Sequence, residues 1–249
     1  LKFNENYSWN PFAKMAKLYM GNNSLKVLKS LKFINTPGEN FSYDSATTAL
    51  LGIVIERATG KSYAQYLSEK VWQPLGMERD ALIGLDSKKH HTAKSFAGLT
   101  TNVRDLAKIG KLFLNNGICN GAQIVDSSFV NRCLCTHTAG ISGKAQSEYS
   151  YSWYWGVADE EDGKRKFFNT LEELKLYYKN HSEKRVRQIK KNLKNGYYAV
   201  LHNGGFWGFG LYGQVLYVNS EKNMVAVFLG ADRLKDFNIL FEQLSTYLD

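Results

Sequence analysis

The chain puts its helix signals first and its strand signals last, and that order restricts the fold more than any single residue does. Between Asn10 and Leu31, Pro11, Phe12, Met15, Leu18 and Tyr19 recur at helical spacing until Gly21-Asn22-Asn23 interrupts them. Ser24 then reads as the N-cap of a second helix carrying Leu25, Leu28 and Leu31. After a turn at Thr36-Pro37-Gly38, Ser45 to Ala58 predicts a helix with Leu50, Leu51, Val54, Ile55 and Ala58 facing the core. Gly60 sits where its left-handed C-terminal cap belongs. Ser62 caps another helix, with Tyr63, Tyr66, Leu67 and Val71 inward, and Pro74-Leu75-Gly76 ends it. A further helix starts near Thr101; Val103, Leu106, Ile109, Leu112 and Phe113 form its buried stripe, and Asn115-Asn116-Gly117 stops it. Asp126 to Leu134 predicts one more, short helix.

Strand signals follow. Ser150 to Val157 reads as a strand, and Gly213 to Tyr217 and Met224 to Leu229 read as an antiparallel hairpin joined by residues 219–223. Leu234 to Leu248 predicts a closing helix. Phe167 to Lys194 is charged, with Leu171, Leu174, Tyr177 and Tyr178 on one helical side, so residues 159–201 read as a charged helical insertion. Helices, then strands, then a helix suit an antiparallel sheet flanked by helices, with a helical subdomain on one side: α/β in the broad sense, α+β in the narrow one. At 249 residues and 44% hydrophobic content, the chain can bury a sizeable core in one large domain or two small ones.

The net charge of +9 is concentrated: Lys179, Lys184, Arg185, Arg187, Lys190, Lys191 and Lys194 stand against Glu183. A solvated face competes with a polyanion patch, and no nucleic-acid motif accompanies the run, so no nucleic-acid partner is expected. Cys119, Cys133 and Cys135 cannot all pair with one another and read as small buried apolar residues. No apolar run approaches the roughly 20 residues of a membrane span, and no signal peptide is visible. Leu1 is not an initiator Met and its surroundings read as mid-domain sequence, so an upstream segment is expected. Phosphate loops, a Gly-x-Ser-x-Gly elbow and paired metal-spaced histidines are all absent; adjacent His90 and His91 read as surface residues, and no metal or cofactor is implied.

The stretch Pro37-Gly38-Glu39-Asn40-Phe41-Ser42-Tyr43-Asp44-Ser45-Ala46 runs into Leu50-Leu51-Gly52, Glu56-Arg57-Ala58-Thr59-Gly60 and then Trp72-Gln73-Pro74-Leu75-Gly76-Met77. Further on come Gly98-Leu99-Thr100-Thr101-Asn102-Val103-Arg104-Asp105-Leu106-Ala107 and Asn120-Gly121-Ala122-Gln123-Ile124-Val125, and later Gly210-Leu211-Tyr212-Gly213-Gln214. In this order and spacing the chain resembles the penicillin-binding-protein and class C β-lactamase-like serine hydrolases, nearest to the nylon-oligomer (aminohexanoate-dimer) hydrolase branch. The resemblance covers most of the chain outside about residues 159–201 and implies a partial β-lactamase/transpeptidase-like domain over residues 1–249. It also implies a periplasmic, secreted or cell-envelope location.

A phenol with its ordinary pKa of about 10 is a poor base, but a neighbouring lysine depresses that value and lets it take a serine proton. The resemblance gives Tyr43 this proton-shuttling role; a packed turn aromatic is the bland alternative. Ser45 would touch substrate or the catalytic lysine, or else cap the following helix. The strand at Gly210 to Gln214 would form the oxyanion hole through the Leu211 backbone N–H, with Gly213 and Gln214 against the substrate. His202, in His202-Asn203-Gly204, is a rival for that position. Tyr7 and Trp9 fall where relatives carry substrate-side aromatics, and Trp153, Trp155, Phe206 and Trp207 are further cleft candidates.

No serine has a lysine three residues on, the spacing that would put both on one helix face. The expectation is therefore a serine hydrolase of amide, ester or β-lactam bonds whose Ser-x-x-Lys lies upstream, and an inactive isolated fragment. The substrate would be a small molecule or peptide. The alternative is a non-catalytic relative whose cleft binds cell-wall or peptide ligands.

Overall fold

A computed structural model describes residues 1–3, 10–34, 36, 44–134, 154–155, 166–168, 176, 186–192, 196–201, 205–220, 222–230 and 244. The chain divides into two compact units, one built on Leu1–Asp105 and the other on Leu106–Ala139 with Ser147–Asp249.

The described elements of the first unit are helical. Helix α1 (Lys14–Met20) stops at Gly21, and α2 (Ser24–Lys29) follows. The cap of α2 is Asn23 rather than Ser24: its backbone is non-helical at φ −151°, ψ 82°, and its side chain accepts from the Lys26 N–H. Ser24 instead opens the helix, buried, and donates its N–H to Asp86 at 2.9 Å. Phe12, placed in the helix by its spacing, precedes α1 and is exposed.

Helix α3 (Ser45–Thr59) closes as predicted on Gly60, whose φ of +67° suits a residue without Cβ. Its buried face differs from the expected one. Ala46, Ala49, Gly52 and Ile53 face inward, while Leu51, Val54 and Ala58 are exposed. Small residues let the neighbouring segment approach: a Cβ on Gly52 would lie 2.2 Å from the Ser95 hydroxyl, which donates to the Thr48 carbonyl. Leu18, Leu28, Ala46, Ala49 and Ile53 form the core of this unit, with Leu1, Phe3 and Phe96 against them. Ser62 caps α4 (Tyr63–Leu67), accepting from the Gln65 N–H, and the chain continues through one wider turn over Ser68–Trp72. Trp72 and Leu75 are the buried residues here, whereas Tyr63, Tyr66, Leu67 and Val71 are half-buried. Burial pushes the Tyr63 phenol up.

Helix α5 (Val103–Leu114) opens behind Asn102, whose side chain accepts from the Asp105 N–H. Val103 is exposed rather than part of the buried stripe. Downstream, Leu106, Ile109, Phe113 and Leu114 pack against Phe206, Leu216, Val218, Val225 and Val227, with Cys133 from α6 (Ser127–Leu134) in the same cluster. Asp126 caps α6, accepting from the Ser128 and Phe129 N–H groups. Between these helices, β1 (Ile118–Cys119) and β2 (Ala122–Gln123) form a small hairpin.

The sheet against α5 contains β3 (Tyr154–Trp155), β7 (Gly205–Gly210), β8 (Gln214–Asn219) and β9 (Met224–Phe228), adjacent in that order and antiparallel throughout. The predicted β8–β9 hairpin is present, with Asn219 opposite Met224. Strand β8 is buried on both faces: Leu216 and Val218 point to α5, and Val215 and Tyr217 pack with Met224, Ala226 and Phe228 on the other.

A second sheet joins β4 (Lys166–Phe168), β6 (Gly196–Leu201) and β5 (Val186–Asn192). The charged run expected to be helical is therefore strand over Val186–Asn192. Its partner, Tyr197-Tyr198-Ala199-Val200, is rich in strand-forming types, and ladder pairing overrides the helical reading of this charged stretch. The expected closing helix lies outside the described residues except Leu244, which is helical. Among the described residues no helix is long and apolar enough to cross a membrane.

Candidate active site

The segment Gly210–Gln214 is the turn between two strands rather than a strand. Gly210 and Gln214 pair as the last rung of β7 and β8, and Leu211–Gly213 make a single 3-10 turn between them. Two successive residues there are left-handed, Tyr212 at φ 63°, ψ 26° and Gly213 at φ 81°. Gln214 holds this turn. Its carboxamide donates to the Gly230 carbonyl just past β9 and, at 3.5 Å, to the Tyr212 carbonyl. Gly210 has no room for a side chain, because a Cβ would lie 2.9 Å from Gln214 Cβ. The Leu211 backbone is thus carried on a short turn fixed at both feet, while the Tyr212 side chain at its tip is 60% exposed.

In the first unit, Asp44 caps α3, its carboxylate accepting from the Thr47 N–H at 2.6 Å. Ser45 is therefore not the cap. Its hydroxyl is 2.9 Å from the Tyr19 hydroxyl, and both Asp44 and Ser45 are buried. Tyr19 is itself held, with its ring edge-on to Phe96 at 4.9 Å and its carbonyl accepting from Lys94 at 2.6 Å. The residues directly after Tyr43 are thereby fixed. Tyr19 carries no signal of this role in the sequence, where it counts as one more residue on an apolar helix face; its hydroxyl was the only clue. Tyr43, Tyr7, Trp9, His202 and Trp153 lie outside the described residues. Phe206, a cleft candidate, is a core residue at 2% exposure.

Two of the sequence motifs hold each other. Asp105, fully buried, accepts from the N–H groups of Glu78 at 2.7 Å and Arg79 at 3.1 Å, and from the Asn102 amide at 2.5 Å. The Trp72 indole donates to the Arg79 carbonyl at 2.8 Å. The Asn102–Asp105 and Trp72–Met77 segments are thus a joint between two pieces of scaffold. The Arg104–Glu78 ion pair beside it is largely solvated and adds little. His90 lies on the surface, as expected, against Ser87, Asn23 and the Asn22 carbonyl.

A 6-aminohexanoate-dimer hydrolase of Paenarthrobacter ureafaciens is 34% identical over 134 residues, which is 49% of this chain and 32% of that protein. A Bacillus anthracis protein provisionally named a 6-aminohexanoate-dimer hydrolase superposes over 99% of this chain and 58% of its own, with 23% identity and a TM-score of 0.66. A Mycobacterium bovis β-lactamase superposes over 87% of this chain and 66% of its own, with 18% identity and a TM-score of 0.51. The chain thus spans about a third of the first relative and a little over half of the second. The beta-lactamase family profile matches residues 3–237, taking in both the helical unit and the sheet with its β7–β8 turn, and the chain belongs to the beta-lactamase family.

Proposed function

We propose that the protein is a serine hydrolase that cleaves an amide, ester or β-lactam bond through an acyl-enzyme. The serine and its lysine would come from a Ser-x-x-Lys segment outside these 249 residues. Tyr43, kept partly ionised by that lysine, takes the serine proton as the serine oxygen bonds to the substrate carbonyl carbon. The carbonyl oxygen becomes an oxyanion and accepts from the Leu211 N–H; the bond to the leaving group then breaks and Tyr43 returns the proton to it. Water repeats the sequence to free the acid. A backbone donor on a short fixed turn suits this task, because it needs no reorganisation when charge develops.

The observation that supports this reading most is the family match over residues 3–237, a span that includes both Tyr43 and the Gly210–Gln214 turn. Ser45, Tyr7, Gly213 and His202 would flank the substrate. Gln214 is better read as a positioning residue, since its carboxamide is engaged by two backbone carbonyls. Short linear amides come first among substrates, from the names of the similar proteins, and residues 159–201 would be an insertion that shapes access. A second reading, a non-catalytic relative that binds cell-wall or peptide ligands, draws support from the absence of Ser-x-x-Lys in these residues. Fluorophosphonate labelling of the full-length protein separates the two. Covalent labelling of one serine is expected; a folded protein that contains Ser-x-x-Lys and takes no label would sink the catalytic reading.

A further inference from the structure

The described residues other than glycine with positive φ are His91, Asn116, Asn120, Tyr212 and Asn223. Asparagine tolerates this backbone through its short polar side chain, and histidine is enriched there too; a tyrosine has no such compensation. The Tyr212 ring does not recover the cost by packing, since it is 60% exposed. The strain is nonetheless maintained locally. The Gln214 carboxamide donates to the Tyr212 carbonyl at 3.5 Å and to the Gly230 carbonyl, and Gly210 is left without a side chain beneath Gln214. Strain that neighbours enforce and the core does not need marks a functional position. Tyr212 directly follows Leu211, so the two Cα atoms are about 3.8 Å apart.

Resting on the serine-hydrolase reading above, we propose that Tyr212 sets substrate preference: its ring, presented by a left-handed backbone beside the Leu211 N–H, is the wall against which an apolar group adjoining the scissile carbonyl packs. A carbonyl oxygen that reaches the Leu211 N–H brings its acyl substituent within range of this ring.

The test uses the full-length protein and two esters differing only in acyl chain, p-nitrophenyl acetate and p-nitrophenyl hexanoate. The measured quantity is the ratio of their kcat/KM values in wild type, Tyr212→Phe, Tyr212→Asn and Tyr212→Gly. Wild type and Tyr212→Phe favour the hexanoate, and the ratio falls by about tenfold in Tyr212→Asn and Tyr212→Gly. The thermal midpoint of Tyr212→Asn is no lower than that of wild type, because asparagine accepts the left-handed backbone. An unchanged ratio in variants that still take a fluorophosphonate overturns the proposal and leaves the hydrolase reading standing. So does a loss of several degrees in midpoint in both small variants, which would make Tyr212 a packing residue. A wild-type protein that takes no label removes the hydrolase reading and this proposal together.

Discussion

Two buried carboxylates hold backbone that no helix or sheet ladder serves. Asp105 gathers the Glu78 and Arg79 N–H groups, and Asp86 gathers those of Ser24, Ser87 and Thr92. An unpaired buried donor costs about 1–3 kcal/mol. Asp105→Ala is accordingly expected to lose about 2–3 kcal/mol in urea unfolding, with Asp105→Asn intermediate because one carbonyl acceptor remains. Burial alone would raise the Asp86 carboxyl, but the backbone donors from Ser24, Thr92 and Ser87 outweigh it and hold it below the ordinary carboxylate range. The folded state therefore sheds this proton at lower pH than the unfolded state. Its contribution is present above the unfolded value, about 4, and is lost as pH falls through the folded one. Urea midpoints measured from pH 6 down to pH 2.5 should fall less steeply below pH 4 in Asp86→Asn than in wild type, after a uniform loss of about 1–2 kcal/mol at neutral pH. Asp105 was visible in the sequence as part of a helix start. Its reach back to residues 78–79 was not, because spacing along a chain carries no information about contacts 26 and 27 residues apart.

Elements were legible where one local signal sufficed. Gly60 ends α3 because only a residue without Cβ takes φ +67° there comfortably, and the polar run that begins at Asn219 marks the β8–β9 hairpin, in which Asn219 pairs with Met224. They were illegible where a partner decided. Val186–Asn192 belongs to the charged stretch expected to be helical, yet it pairs along β6 from Gly196 to Leu201. On α3 the larger side chains suggested the buried face, but Ala46, Ala49 and Gly52 allow the closest approach and are buried instead. Close approach also explains a glycine within α5. A Cβ on Gly110 would lie 2.7 Å from Val225 Cγ1 and 2.9 Å from Leu216 Cδ1, so the helix sits against β8 and β9 only without one. Gly110→Ala gains helix propensity of about 0.8–1 kcal/mol but has to displace those side chains at about 1–3 kcal/mol. A net loss of about 0–2 kcal/mol in chemical unfolding is expected, and a stabilised variant would show that β8 and β9 yield more readily than the spacing implies.

For the whole molecule, the order of elements carried the fold class, and motif order carried the family, which the match over residues 3–237 bears out. Catalysis is less legible because the chemistry is spread along the chain. On the proposed reading Leu211 would act through a backbone group that any residue possesses, so only the turn that carries it could mark such a role. On that same reading Tyr43 would depend on a cation and a nucleophile that these residues do not supply in Ser-x-x-Lys spacing. That dependence separates two activities. The 249-residue chain alone should take no fluorophosphonate label even when circular dichroism shows it folded, whereas the full-length protein should take one label per chain. In the full-length protein, Tyr43→Phe removes the hydroxyl that moves the proton and leaves the ring, so kcat should fall by about 10²–10⁴ with KM less affected. The same variant should lose the part of the pH–rate profile that reports the phenol. If Tyr43→Phe keeps wild-type kcat, another group carries the proton, and the Tyr19–Ser45 pair just beyond Tyr43 is the next to be tested.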